Sequence, residues 1–166
     1  MRMRTTVLGA VCTAIAITLA GCSSDDGGKS MDPAEAKAAA QALADQRLAD
    51  LAAKPGVEPA IADYIRAVSA IAVEYSVPPT DEAKRKTLDQ MILDAQAARE
   101  TFCTSDGQGG REPGSFLTSM REVTLNEAAE KYRDENGLDD ATSTVVAGRV
   151  LTAVESKLCT GQAAGA

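Results

Sequence analysis

The residue types that most often carry out catalysis are scarce in this chain. Histidine is absent from the 166 residues, which excludes Ser-His and Cys-His pairs and every metal site that uses imidazole. Ser156 and Lys157 are adjacent, but neighbours along a helix point in different directions and do not make a Ser-Lys pair. The many carboxylates are interpreted as solvated surface groups, because a general acid needs surroundings that shift its pKa. The sequence therefore predicts no catalytic residue, no cofactor and a protein that is not an enzyme.

Two further stretches partly resemble ligand-binding loops. The glycine-rich run 107–110 lacks the following Lys-Ser/Thr and the preceding strand of a phosphate loop. The acidic stretch from Asp134 to Asp140 offers several oxygen atoms around Gly137, but its register does not supply the Glu that an EF-hand needs at position twelve. A helix end followed by a helix start explains the stretch without an ion, so no metal site is predicted.

The N-terminus has the organisation of a secretory signal. Arg2 and Arg4 give a positive start, an apolar run follows from Val7 to Ala20, and small residues lead into Cys22. The apolar run is about 14 residues long, whereas a membrane-spanning helix needs roughly 20. A removable signal is therefore favoured over a permanent transmembrane helix.

The tetrapeptide Leu19-Ala20-Gly21-Cys22 resembles the lipobox of bacterial lipoproteins. The resemblance implies cleavage between Gly21 and Cys22 and attachment of acyl chains to Cys22, and two or more such chains anchor a protein stably. An ordinary secreted protein, in which Cys22 has no such role, is the alternative. Residues 23–30 contain no apolar side chain and are interpreted as a flexible tether. We expect a lipid-anchored protein on the outer face of the cell membrane.

Two cysteines remain after those of the signal and the lipid site. Cys103 and Cys159 form an even remainder in a chain predicted to enter a compartment where disulfides persist. One structural bridge is favoured, and by the loop-entropy argument it contributes about 4 kcal/mol. Two free thiols, available for redox chemistry, are the alternative, which is less favoured because the Cys-x-x-Cys spacing is absent.

The charge and aromatic content exclude several classes of partner. The chain has 17 Lys and Arg against 24 Asp and Glu, a net charge of −7, and removal of Arg2 and Arg4 with the signal makes it more negative. This acidity argues against nucleic acid and against electrostatic binding to anionic lipid. Three tyrosines, two phenylalanines and no tryptophan supply few surfaces for stacking on bases or sugars.

Amphipathic segments separated by proline and glycine predict a helical domain, and no segment makes a convincing strand. A first helix opens at Asp32-Pro33 and runs to about Ala53. A second opens at Pro59 and ends before the break at residues 77–79. Their apolar faces comprise Ala36, Ala40, Ala44, Leu48 and Leu51 in the first helix, and Ile61, Tyr64, Ile65, Val68, Ile71, Ala72 and Tyr75 in the second.

The second half of the chain also contains amphipathic segments that predict helices. A third helix is capped by Thr80 and ends at Cys103, and residues 104–114 form a loop. Residues 115–135 predict either a short helix followed by one capped by Thr124 and Glu127, or one bent helix. A stop at Asn136-Gly137 precedes the last helix, which ends at Cys159. The apolar positions are Leu88, Met91, Ala95, Ala98 and Phe102, then Phe116, Met120, Val123, Leu125, Ala128, Ala129 and Tyr132, then Ala147, Val150, Leu151, Val154 and Leu158.

These elements predict an all-α fold, a bundle of four or five helices held by one disulfide. The predicted organisation is a signal peptide over residues 1–21, a lipidated tether over 22–30, a helical domain over 31–160 and a disordered tail over 161–166. Alanine and other strong helix formers dominate the domain. Its length is sufficient for a single hydrophobic core.

Residues 102–159 resemble a small two-cysteine helical domain of unknown function found in exported mycobacterial proteins. The matching features are Phe102-Cys103 at a helix end, a middle helix from Leu125 to Tyr132, the turn 136–138, and a last helix from Val145 to Cys159. The chain departs from that domain by a longer glycine-rich loop and by the lack of a proline after Cys159. Beside the lipobox, the acidic, alanine-rich composition is similar to that of actinobacterial or actinophage lipoproteins. The resemblance implies the disulfide and no activity.

Three functions follow as hypotheses. The first is a non-enzymatic envelope lipoprotein, held to the membrane by acyl chains on Cys22, whose domain binds an envelope protein or organises the cell surface. The second is a carrier that holds a small apolar ligand or lipid between the helices Ile61–Tyr75 and Leu88–Phe102. The third is a phage-encoded lipoprotein that excludes superinfecting phages, which rests on general resemblance alone.

Overall fold

The computed structural model describes residues 31–105 and 111–159. The signal peptide, Cys22, the tether, the run 107–110 and the tail 161–166 lie outside the described residues. The helices are α1 Pro33–Ala53, α2 Pro59–Glu74, α3 Asp81–Arg85, α4 Leu88–Phe102, α5 Ser115–Asn136 and α6 Asp140–Ala153, which continues as a π-helical turn Val154–Cys159; the strands are β1 Cys103–Ser105 and β2 Arg111–Pro113. The predicted all-α class is confirmed.

Short polar side chains begin most of the helices, as the sequence indicates. Asp32 accepts a hydrogen bond from the Ala34 amide at 2.8 Å, and Asp139 accepts one from the Thr142 amide at 2.9 Å. Gly137 ends α5 in the left-handed region, with φ of 67°. Each of these contacts satisfies a backbone group that the end of a helix leaves unpaired.

The predicted third helix is two helices, so the expectation of one helix from Thr80 to Cys103 is wrong. Thr80 caps α3 as expected, but this helix ends at Arg85. Thr87 then opens α4 with a capping box, in which its side chain accepts from the Gln90 amide and the Gln90 side chain accepts from the Thr87 amide. Two competing N-terminal signals lie seven residues apart, and the second restarts the helix in a new direction.

The predicted loop after Cys103 contains a two-stranded antiparallel ribbon, which the sequence did not indicate. Cys103 pairs with Pro113 and Ser105 with Arg111. Strands of three residues are too short to show the alternation by which strands are recognised. Gly114, directly after β2, lies close to the end of α4. Its amide donates to the Phe102 carbonyl at 2.7 Å, and a Cβ on Gly114 would lie 3.1 Å from that oxygen.

The alternative left open for residues 115–135 is resolved as one helix. Thr124 lies inside α5 and is 2% exposed, so the capping box predicted at Thr124 and Glu127 does not start a helix. Helix α5 runs antiparallel to α6 across the Gly137 turn and packs along its length. Packing on a neighbouring helix outweighs a local capping signal.

Helix α2 lies at the centre, between α1, α4 and α6. The apolar stripe predicted for α2 is confirmed, because Ile61, Tyr64 and Ile65 are fully enclosed, while Tyr75 is half-buried at its end. On α1 the prediction is wrong at one position: Leu48 is 37% exposed and Arg47 is 4% exposed. Both positions fit helical spacing from Ala44, and hydropathy selected the wrong one.

Substitution of glycine by alanine should change the stability in opposite directions at Gly148, inside α6, and at Gly137, in the turn before α6. Gly148 lies inside the helix, and a Cβ there would meet Leu125 Cδ1 at an ordinary 3.8 Å, so Gly148→Ala should stabilise the protein by about 0.5–1 kcal/mol. Gly137 has a positive φ of 67°, so Gly137→Ala should destabilise it by about 1 kcal/mol. Urea denaturation of both variants measures the effects, and shifts of the same sign would contradict this assignment.

Candidate functional site

The predicted disulfide is present and lies inside the fold. It joins Cys103, at the end of α4, to Cys159, at the end of the π-helical turn, with the two Cα atoms 5.1 Å apart. Cys103 is 6% exposed and Cys159 is fully enclosed. Thiol exchange needs access to a sulfur atom, so burial protects this bridge from exchange. The bridge fastens the π-helical turn to the end of α4.

The acidic stretch after α5 is used within the fold. Asp139 caps α6, and hydrogen bonds from the Thr142 side chain and backbone lower the pKa of Asp139. Arg133 binds Asp134 at 3.0 Å and Asp140 at 3.3 Å. In the two described segments, no group of three or more Cys, Asp or Glu side chains is arranged to hold a metal ion.

The remaining residues that were considered for catalysis are Ser156, Lys157 and the surface carboxylates. Ser156 and Lys157 are both exposed on the π-helical turn, where adjacent side chains diverge. Several carboxylates of α5 and α6 face solvent and pair with nearby basic groups, as Asp134 does with Arg133. Exposed pairs of this kind each contribute little to stability.

The apolar faces that a carrier would use are packed against each other. The enclosed members of these two faces are each 5% exposed or less and belong to the same core, while Tyr75 and Leu88 are partly buried against it. The enclosed residues are Ile61, Tyr64, Ile65, Val68, Ile71 and Ala72 of α2 and Met91, Ala95, Ala98 and Phe102 of α4. Core packing therefore accounts for both stripes without a ligand.

A buried arginine fastens the short helix α3 to α1. Arg47 Nη2 donates to the Ala83 carbonyl at 3.0 Å, and burial lowers the pKa of Arg47 to about 10. Asn136, at the end of α5, contacts the residues just before α3: its Nδ2 donates to the Pro78 carbonyl at 2.8 Å. The two bonds attach the segment from Pro78 to Ala83 to α1 and to the end of α5. Sequence periodicity alone could not assign Arg47 this role.

A shallow groove opens between the end of α1 and the start of α4. Its volume is about 330 Å³, and an ion pair between Lys54 and Asp89, at 2.9 Å, crosses its rim. Leu93 follows one helical turn after Asp89 and is 63% exposed, the most exposed of the large apolar side chains in the described segments. The groove is lined by Asp50, Ala53, Lys54, Pro55, Thr87, Leu88 and Asp89.

The groove and Leu93 were missed by the sequence analysis. Leu93 lies between the stripe positions Met91 and Ala95 and therefore falls off the buried face of α4. An apolar side chain at a position that helical spacing places towards solvent is the signal that could have identified it. A single exposed leucine is common on protein surfaces, so Leu93 draws attention only because the groove between α1 and α4 lies one helical turn away from it.

Neither the described helices nor the comparisons with known proteins test the prediction that this chain is a lipoprotein. None of the helices in residues 31–105 and 111–159 has the length and apolarity needed to cross a bilayer. No family model, no curated protein and no solved structure matches the chain. The lipobox at residues 19–22 and the likeness of residues 102–159 to the two-cysteine mycobacterial domain therefore stay predictions.

Proposed function

We propose that this protein is an exported lipoprotein, anchored by acyl chains on Cys22, whose helical domain binds a protein partner in the cell envelope without catalysing a reaction. The observation that carries the proposal is Leu19-Ala20-Gly21-Cys22 at the end of a short apolar run. A polar segment follows, and the first helix then begins at Pro33. This order of signal, lipid site, tether and folded domain is the one that an anchored module requires.

The charge of the chain supports anchoring by lipid rather than by a basic surface. With 24 acidic against 17 basic residues, the chain is repelled by anionic headgroups. A nine-residue tether from Cys22 to Ser30 spans at most about 30 Å when extended. The domain is thus kept near the membrane while its sides stay accessible to neighbouring proteins.

The surface feature that best suits a partner is the groove between α1 and α4 with Leu93 beside it. Burial of a leucine side chain contributes roughly 1.5–3 kcal/mol, enough to anchor a weak and reversible contact. Lys54 and Asp89 at the rim pair with each other and stay exposed, so charges on a partner would add to this pair or exchange with it. An interface of this type has an apolar centre and a polar rim.

Substitution of the lipid site should release the protein from the membrane. In cells that export the full chain, Cys22→Ser should move it from the membrane fraction to the soluble fraction, because two acyl chains supply nearly all of the membrane affinity. Cys12→Ser, a cysteine within the signal, is the matched control and should stay in the membrane. Intact mass should show acylation in the wild type and in Cys12→Ser only.

The same cells test the interaction. Gentle detergent extraction of the tagged wild type should retain one envelope protein in near-equal amount, and Cys22→Ser should retain much less because its local concentration at the membrane is lost. Membrane retention by Cys22→Ser would contradict the lipid anchor if its intact mass shows that residues 1–21 have been removed, because an uncleaved chain would still be held by the apolar run Val7–Ala20. A co-purifying small molecule without any protein would instead favour the carrier function.

A further inference from the structure

The last described turn of the chain changes which residues of the terminal helix face the core. In an α-helix, residues seven positions apart lie on the same face. Thr152 and Val145, seven and fourteen positions before Cys159, are both exposed. An unbroken α-helix would therefore direct Cys159 to solvent. Cys159 is instead fully enclosed.

The π-helical form of the turn explains this burial. The turn Val154–Cys159 is π-helical, with hydrogen bonds between residues five apart rather than four apart. Because such a turn holds one extra residue, Cys159 takes the place that residue 158 has in an α-helix. That place follows Val154 and Leu151, which are both fully enclosed. Leu158 shifts in the same way and is also fully enclosed.

The local sequence does not account for the π form. Residues 154–159, VESKLC, include neither proline nor glycine, the residues that most often interrupt an α-helix, and π-helices are rare. The Cα atoms of Cys103 and Cys159 lie 5.1 Å apart, within the range that a disulfide allows. The bridge is therefore the contact that selects the shifted register.

We propose that the Cys103–Cys159 bridge holds this turn in the π form, and that with the bridge open the turn becomes α-helical and exposes the Cys159 thiol. Cys159 is then the residue at which the bridge starts. Its thiolate attacks a sulfur of an external disulfide, which gives a mixed disulfide and releases one thiolate. The Cys103 thiolate attacks the Cys159 sulfur and releases the second thiolate, so the external disulfide takes up the two electrons that the two cysteines lose.

Changes in the length of the turn test the register. Both variants use the full chain with Cys12→Ser and Cys22→Ser, which leaves two cysteines. Deletion of Lys157, which is exposed, places the last cysteine four residues after Val154, where an unbroken α-helix brings it to Cys103. This variant should form the bridge completely. Insertion of one alanine after Lys157 is the matched control and should leave most of the chains with two free thiols.

Alkylation followed by intact mass counts the free thiols in both variants. Bridge formation in equal amounts would show that the register of the turn does not matter, and free thiols in the deletion variant would show that an α-helix does not bring the cysteine to Cys103. Either result overturns the proposal.

The reactivity of Cys159 tests what the turn does when the bridge is open. In the same background, Cys103→Ala should let maleimide alkylate Cys159 in the folded protein within about tenfold of its rate in urea. The control is Leu158→Cys in a chain that also carries Cys103→Ala and Cys159→Ala. Residue 158 stays on the buried side in an α-helix, four positions after Val154, so this thiol should react at least about tenfold more slowly than Cys159.

Two results would contradict the predicted opening. A Cys159 thiol that is protected by more than about tenfold relative to urea would show that the π form persists without the bridge. Equal rates for Cys159 and for the control thiol would show that the turn unfolds rather than becoming α-helical.

Discussion

Removal of the Cys103–Cys159 disulfide should lower the free energy of unfolding by about 4 kcal/mol. The bridge joins residues 56 positions apart, and a loop of that length has a large entropy in the unfolded chain that the cross-link removes. Domains of this size have a total stability of about 5–15 kcal/mol. The variant Cys103→Ala/Cys159→Ala should therefore lose a large part of its stability.

The site of the bridge predicts where the loosened protein opens first. Cys159 is the last described residue of the terminal turn, and Cys103 is the first residue of β1. Without the bridge, the turn is held by packing and by the pair between Glu155 and Arg121. The ribbon keeps the few hydrogen bonds of two three-residue strands and the bond from Gly114 to Phe102. Hydrogen exchange should accordingly lose protection at β1 and at Val154–Cys159 before it does so in α2.

Urea denaturation with and without a strong reductant measures the effect. Reduced wild type and the double alanine variant should unfold at similar urea concentrations, well below the oxidised protein, and the variant should not respond to reductant. Alanine is used because serine would place two hydroxyls in an enclosed apolar site. A wild-type midpoint that is insensitive to reduction, after mass spectrometry has confirmed two free thiols, would contradict this prediction.

The elements with large apolar side chains were predicted well from the sequence. The α2 stripe of isoleucine, valine and tyrosine left only one face that could be buried, and the disulfide followed from counting cysteines in a chain predicted to be exported. The helix start at Asp32-Pro33 was also correct, because a short polar side chain beside a run of helix formers has few other uses.

The predictions were wrong where two interpretations of a segment were equally well supported by the neighbouring residues. Arg47 and Leu48 fit the α1 face equally by spacing, and only the carbonyl of Ala83, 36 residues away, makes Arg47 the inward residue. Thr80 and Thr87 are both good caps, and each opens its own helix. The ribbon after Cys103 depends on pairing across residues 106–110, which no local pattern reveals. Each outcome was decided by a tertiary contact that a single sequence does not contain.

The candidate binding surface was unpredictable for a related reason. Exposure of Leu93 becomes meaningful only when α1 and α4 are known to meet beside it at Lys54 and Asp89. Tyr64 and Tyr132 likewise fitted apolar stripes in the sequence, yet both carry a hydroxyl that is buried without a hydrogen-bond partner among the described residues. Sequence periodicity predicts which face of a helix is buried, but it does not predict whether the polar atom on a buried side chain finds a partner.

Phe102→Ala should be among the most destabilising single substitutions, while Leu93→Ala on the same helix should change stability by less than about 0.5 kcal/mol. Phe102 is fully enclosed, and truncation of a buried phenylalanine costs about 3–5 kcal/mol through lost apolar burial and the cavity left behind. Its neighbour Cys103 carries the disulfide, so the surrounding chain cannot easily collapse into the space. Urea denaturation of the two variants gives the comparison directly.

The variants Phe102→Ala and Leu93→Ala also distinguish an effect on folding from an effect on partner binding. If the groove between α1 and α4 is the docking surface, Leu93→Ala should keep the wild-type urea midpoint and still lose most of the co-purifying envelope protein. Phe102→Ala should lose stability, and at temperatures where it remains folded it should retain the partner, because it lies in the core rather than at the surface. Full partner retention by Leu93→Ala would place the docking surface on another face of the domain, while a loss of stability equal to that of Phe102→Ala would contradict the exposed position of Leu93 itself.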